Sequence, residues 1–287
     1  MTKSNNNNKS NIIGVIFEYY GEYGLGNPLF GQILDSFREE LESYGKDVII
    51  LSSNKINNMT YAENSKHRDV EGILVLSNSF DVADFNQILE NKIPCVTVHD
   101  TVQGCPLIVS ENYHSGYNAV DYFISKGHKE IGYIGVEAQK RLHASVNREN
   151  GFRKGLMDNN LECTEKNIEY CKTWEKEAGK EGIKRLLKKN KSLTAIFMAS
   201  DILTLGAIEY CNENGIRVPD DISFIGFDNN IISNFTNPPL TTFNQDSYTI
   251  GKKMAEILLK MINGESVPDV IQIPTELIIR ESVKDLR

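Results

Sequence analysis

Two hydrophobic periods alternate along this chain, and that alternation restricts the fold more than any single motif. Runs rich in β-branched residues, NIIGVIF at 11–17, VIIL at 48–51, GILVL at 72–76 and PCVTV at 94–98, have the length and composition of buried strands. Between them lie stretches whose apolar residues recur at helical spacing. In PLFGQILDSFREELESYG, Phe30, Ile33, Leu34, Phe37, Leu41 and Tyr44 fall on one helical face, and Gly45 supplies the stop. Weaker helical patterns near 59–68 and 82–91 complete a βαβαβα order. Right-handed crossovers turn that order into a parallel sheet with helices on both faces.

The order then starts again. A helix (YNAVDYFISKG), a strand (IGYIGV), a helix over 146–160, a strand near 168–171, a helix near 177–189, TAIFM, a further helix and DISFIGF predict a second, similar lobe. The tail, a helix over 247–263 between FNQ and VIQI and then TELIIR, is too small for a third domain and is expected to complete both lobes. The expected architecture is therefore α/β, two doubly wound parallel-sheet lobes joined by a hinge of three crossovers. An Asn-rich linker remnant covers 1–11, an N-terminal lobe 12–110 and 244–273, and a C-terminal lobe 111–243 and 274–287. At 287 residues and 40% hydrophobic content, each lobe can hold its own core. Such a hinge is expected to place a ligand cleft between the carboxyl ends of the two sheets.

Composition excludes several functions. With 31 basic against 39 acidic residues the formal charge is -8, so the chain by itself is not expected to bind a polyanion. Cys95, Cys105, Cys163, Cys171 and Cys211 are an odd set without C-x-x-C, which suggests reduced thiols and a cytoplasmic setting. The start, MTKSNNNNKSN, has no apolar signal region, and no apolar stretch is long enough to span a bilayer, so neither secretion nor membrane insertion is expected. No G-x-S-x-G, P-loop or H-E-x-x-H is present, and the glycines of GEYGLG have the wrong order for a dinucleotide fingerprint. His67, His99, His114, His128 and His143 lack metal-ligand spacing, and surface or capping roles account for most of them. No metal, cofactor or enzymatic activity is expected.

Polar residues at strand-to-helix turns remain, and with them a resemblance. GNPLFGQILDSF, RDVEGILV, KIPCVTV, ENYHSGYNAVDYFISKGHKEIGYIG, RENGFRKGL, TAIFMASDILTLGAIEYCNENGIRVPDDISFIGFDN, PPLTTFNQD, IGKKMAEILL and PTELIIRES together resemble the effector-binding region of the LacI/GalR transcriptional repressors, in order from 12 to 283. The resemblance implies a periplasmic-binding-protein-like fold and a homodimer. It also implies operator contact only through an N-terminal helix-turn-helix that this chain does not contain.

Carried over position by position, the resemblance assigns an effector site. Arg148 in RENGF stands where the family's arginine donates two hydrogen bonds to vicinal hydroxyls or a carboxylate. Asp228 in GFDN, at the carboxyl end of a strand, stands where a carboxylate accepts from neighbouring hydroxyls. Ser200 in MASD takes a position commonly held by a ligand-contacting asparagine, and equally suits a cap of the next helix. On the first lobe Leu29 and Phe30 match ligand-facing positions, Phe30 being equally a core candidate. His99 stands where an aspartate is frequent, and Glu111 lies at the first crossover. Leu142 and Ala144 are apolar where purine-binding members have polar contacts, which makes a purine less expected. The segment between Asn54 and Gly72 is about one helical turn shorter than in the family, which bears on dimer geometry.

Trp174, the single tryptophan, sits in YCKTWEKEAG among lysines and glutamates. A large aromatic near a helix start is ordinarily a packing residue. The resemblance places it, five residues before Gly179, where family members keep a ring against the ligand. A pyranose has an apolar C–H face and hydroxyl edges, so an indole with Arg and Asp partners matches both surfaces. The expected function is effector sensing, with a sugar or sugar phosphate as ligand and lobe closure passed to a DNA-binding head. A stand-alone sugar- or nucleoside-binding protein of the same fold is the alternative.

Overall fold

The computed structural model describes residues 10–18, 27–51, 59–77, 82–98, 102–137 and 143–287. The chain divides into two compact units, Met1–Tyr20 with Gly24–Ile108 and Ser247–Ile271, and Gly21–Tyr23 with Val109–Asp246 and Gln272–Arg287.

In the first unit, β1 (Ile12–Glu18), β2 (Asp47–Leu51), β3 (Val70–Ser77), β4 (Cys95–Thr97), β5 (Leu107–Ser110) and β11 (Val270–Ile273) form a sheet of order β11-β5-β4-β3-β1-β2. Its helices are α1 (Pro28–Ser43), α2 (Tyr61–His67), α3 (Val82–Glu90) and α8 (Ser247–Ile262). Asn27 starts α1 by accepting the Leu29 N–H at 3.1 Å, with Pro28 in the first turn where its missing N–H costs nothing. The predicted apolar face is buried at Phe30, Ile33, Phe37 and Leu41, worth about 1.5 to 3 kcal/mol per side chain. One strand departs from expectation. β2 is buried only at Leu51: it is the last strand of the order, and Ile50 is 51% exposed. Its apolar composition matches an interior strand, but edge position leaves Val48 and Ile49 half-buried and Ile50 uncovered.

The second unit holds β6 (Ile131–Val136), β7 (Ile168–Cys171), β8 (Ala195–Met198), β9 (Ser223–Asp228), β10 (Thr241–Gln245) and β12 (Thr275–Ile278), in the order β12-β10-β9-β8-β6-β7. All pair in parallel except β12, which runs antiparallel to β10, a departure from a purely parallel sheet. Helices α4 (Asn112–Ser125), α5 (His143–Asp158), α6 (Lys176–Lys189) and α7 (Asp201–Glu213) flank it. Helix α5 begins three residues before the expected start at 146, because its first turn is polar and carries no apolar stripe. Helices α6 and α7 touch through glycine: a Cβ on Gly179 would collide with the Leu203 carbonyl, and one on Gly206 with that of Lys176. His128 departs from a surface or capping role. It is buried, and its ring joins Thr194 at 2.9 Å and the Lys284 carbonyl at 3.0 Å, tying the C-terminal segment to the sheet.

Candidate functional site

The carboxyl ends of three neighbouring parallel strands, β8, β9 and β10, assemble a polar cluster in the second unit. Open α/β sheets place ligand-binding groups at such ends because the following loops and helix N-termini converge there. After β8 the chain enters α7 at Ser200, whose Oγ caps the helix by accepting the Leu203 N–H at 3.2 Å. The next residue, Asp201, is 1% exposed. Its carboxylate accepts from the Thr242 hydroxyl at 2.6 Å and the Asn230 N–H at 2.8 Å. A Cβ on Gly226 would collide with this carboxylate, so the glycine on β9 is what allows an acid to lie against the sheet.

Strand β9 ends on Asp228 in an unusual backbone state. Its φ is 121°, and Asn229 follows at 52°, two consecutive non-glycine residues on the left-handed side. Such conformations persist only where the surroundings impose them. Here they do. Asp201 holds the Asn230 N–H, Arg280 donates to the Asn229 amide oxygen at 2.8 Å, and the Asn229 amide donates to Asn244 at 3.1 Å. The Asp228 carboxylate accepts from Gln245 Nε2 at 2.5 Å, and Ser110 fixes the other end of that amide by donating to its oxygen at 2.7 Å. Burial pushes Asp228 up to about 6, although the Arg148 charge and the Gln245 hydrogen bond both pull it down. Asp201 is raised well above the carboxylate range, first by burial and then by Asp228.

Arg148, on α5, is 3% exposed. Its Nε and Nη2 donate to Asn112 Oδ1 at 3.1 and 2.6 Å, its Nη1 donates to the Ala199 carbonyl, and the guanidinium stacks 3.4 Å above the centroid of Phe227. Burial lowers its pKa, while Tyr133, Asp228 and Asp201 oppose the shift. Three of the five guanidinium N–H groups are therefore engaged, and two have no partner among the described residues.

Of the residues assigned from sequence, Arg148, Ser200 and Asp228 fall in or beside this cluster. Trp174 is half-buried between β7 and α6 and packs against the core of the second unit. Glu111 precedes α4 without capping it through its side chain, and lies 3.8 Å from His114. Among the described residues no hydrogen bond or ion pair links Trp174 or Glu111 to Arg148 or Asp228. Leu29 and Phe30 belong to the first unit, Leu29 half-buried and Phe30 buried with its ring edge-on to Phe17 at 6.2 Å. His99 and Leu142 lie outside the described residues. Sequence reasoning missed Asn112, Asp201 and Gln245, and only Asp201 offered a signal, an acid directly after a cap at a strand end.

Chemically the cluster offers an acceptor, Asp228, and two remaining guanidinium donors. That set suits recognition of a polar ligand. The buried thiols of Cys171 and Cys211 are pushed up to about 12 by burial, which makes poor nucleophiles of them. No group of three His, Cys, Asp or Glu side chains poised for a metal occurs among the described residues. No helix among them is long and apolar enough to cross a membrane.

Residues 120–283 match the family model of the periplasmic binding protein-like domain. The HTH-type transcriptional repressor PurR of Histophilus somni is 32% identical over 269 residues, covering 90% of this chain and 79% of the relative. Among solved structures, the transcription regulator CcpA of Lactococcus lactis superposes with a TM-score of 0.84 at 23% identity, covering 96% of this chain and 100% of that one. A transcriptional regulator CelR–cellobiose complex gives 0.83 at 24%, covering 96% and 85%. At these identities the structural likeness speaks for the fold.

Proposed function

The chain belongs to the LacI/GalR family of transcriptional regulators, and on that premise we propose that it is a sensor whose effector is a sugar or sugar phosphate. The observation that carries the reading is that Asp228 and Arg148 lie close enough at the same strand ends to feel each other's charge. The half-buried Asp228 accepts and the buried Arg148 donates, and neighbouring hydroxyls on a ring need both at once. The ligand binds one arrangement of the protein better than another, and by linkage this changes operator affinity through an N-terminal helix-turn-helix. The net charge of -8 is consistent with leaving DNA contact to that head. The protein acts in the cytoplasm as a homodimer without catalysing a reaction. Support for the dimer comes from Ile231, Phe235 and Ile279, which are 66%, 78% and 62% exposed. Arg280 brings them to one edge by donating to Ser233 and Asn229.

A thermal-shift screen of sugars, sugar phosphates and nucleosides tests the reading. A ligand at about 100 times its Kd adds about 2.7 kcal/mol, a shift of several degrees. Stabilisation by nucleosides alone would overturn the sugar assignment. With the active ligand, Trp174 emission is expected to change in intensity or wavelength in a saturable manner. Tight binding with unchanged emission would remove the indole from the site. Asp228→Ala is expected to abolish the ligand-induced shift while the unliganded protein still melts cooperatively, and a retained shift would exclude Asp228.

A further inference from the structure

A cavity lies at the opposite, amino ends of the same strands. Near their N-termini α6 and α7 touch at Gly179 and Gly206. Towards their C-termini side chains as large as Leu187 and Tyr210 come between them, and a cavity of about 530 Å³ opens. Leu193 and Ile222, just before β8 and β9, and Ile216, just after α7, complete an apolar floor that rests on the core. The volume falls within the range of sites that hold small molecules.

Charge around the cavity is mostly basic. Lys184 and Lys188 line it from one side of α6 at a spacing of four, and Lys191 lines it from the turn that follows the helix. Lys184 pairs with Glu181 at 3.3 Å, whereas Lys188 and Lys191 have no partner among the described residues. The one lining acid, Asp221, is already neutralised. It accepts from the Arg217 backbone N–H, Nε and Nη2 at 2.8, 3.0 and 2.7 Å. The C-terminal ends of two helices would repel an anion, and the two free ammonium groups offset that field. The Tyr210 phenol, which also has no partner among the described residues, adds a hydrogen-bonding group beside the apolar floor.

We propose that this cavity is a second ligand site, built for a small amphipathic organic anion whose apolar body fills the floor and whose acidic group meets Lys188 and Lys191. It is independent of the effector reading, because Asp228 and Arg148 belong to the carboxyl ends of the strands and this site to their amino ends.

The probe is 8-anilinonaphthalene-1-sulfonate, an aromatic body with a fixed anionic group, titrated by fluorescence into the whole chain. Saturable one-site enhancement is expected, displaced by decanoate and weakened by salt. The double variant Lys188→Glu, Lys191→Glu changes only exposed side chains, and is expected to raise the Kd about tenfold or more. Ile216→Trp, which fills the cavity from its half-buried wall, is expected to act in the same direction, and Asp228→Ala to leave the Kd unchanged. Melting curves by circular dichroism verify that each variant is folded. Absence of saturable binding, a charge-reversed variant that binds like the parent, or loss of binding in Asp228→Ala would each overturn the proposal.

Discussion

Replacing Arg148 by alanine is expected to lower the unfolding free energy by about 3 to 5 kcal/mol, the range for breaking a buried charged network by removing one partner. The guanidinium is 3% exposed and ties three parts of the second unit: α5 by its own position, α4 through Asn112, and the end of β8 through the Ala199 carbonyl. Its loss leaves two buried acceptors without donors, each costing about 1 to 3 kcal/mol. It also withdraws the positive charge that opposes the raised pKa of Asp228, so this acid holds its proton to still higher pH. Urea unfolding at pH 7 measures the loss, and a melting temperature lower by about 10 °C accompanies it. Arg148→Lys restores a charge but not the planar fork, so it should recover only part of the stability. An alanine variant within about 1 kcal/mol of the parent would show that water takes over these hydrogen bonds and that Arg148 is not an internal tie.

This network marks where sequence reasoning stops. The alternation of β-branched runs and helical periods makes the α/β class and the order of elements legible, because period and strand length depend on local sequence. Even short α2 leaves a trace in Tyr61 and Ala62, both buried. Edge position is different. Nothing in VIIL distinguishes β2 from an interior strand, since exposure follows from the order of strands in the sheet. The antiparallel direction of β12 is likewise decided by tertiary pairing. At the site, the resemblance pointed to Arg148 and Asp228, but their supports are polar residues from distant segments. Gln245 is an ordinary strand-end amide until Ser110 and Asp228 orient it, and Asp201 looks like any acid favoured in a first helical turn. Ser200 shows the two readings of one residue side by side, since its hydroxyl caps α7 at the position where the family commonly carries a ligand-contacting side chain.

The charge on Asp228 makes the stability of the fold depend on pH. Its pKa is raised from 3.8 to about 6, so between these values the folded protein binds a proton that the unfolded chain has released. The sign follows from linkage: where the native state holds more protons, stability falls as pH rises. The contribution is present below about pH 4 and lost as pH passes through 6, amounting to about 3 kcal/mol for a shift of about two units. Asparagine at this position mimics the protonated acid, can still accept from Gln245, and tolerates positive φ at least as well as aspartate. Removing the charge also relieves Asp201, whose proton affinity is raised partly by Asp228. Asp228→Asn is therefore expected to be more stable than the parent by about 2 to 3 kcal/mol at pH 8 and nearly equal to it at pH 4. Urea unfolding of both proteins across that interval gives the difference directly, free of the titrations they share. A variant no more stable at pH 8, or a difference that does not change with pH, would mean that the carboxylate is hydrated and unstrained. The same substitution should remove effector-induced stabilisation, because the variant keeps the shape of the site but not the anionic acceptor. A more stable protein that no longer senses its ligand would identify the charge of Asp228 as a cost the fold bears for recognition.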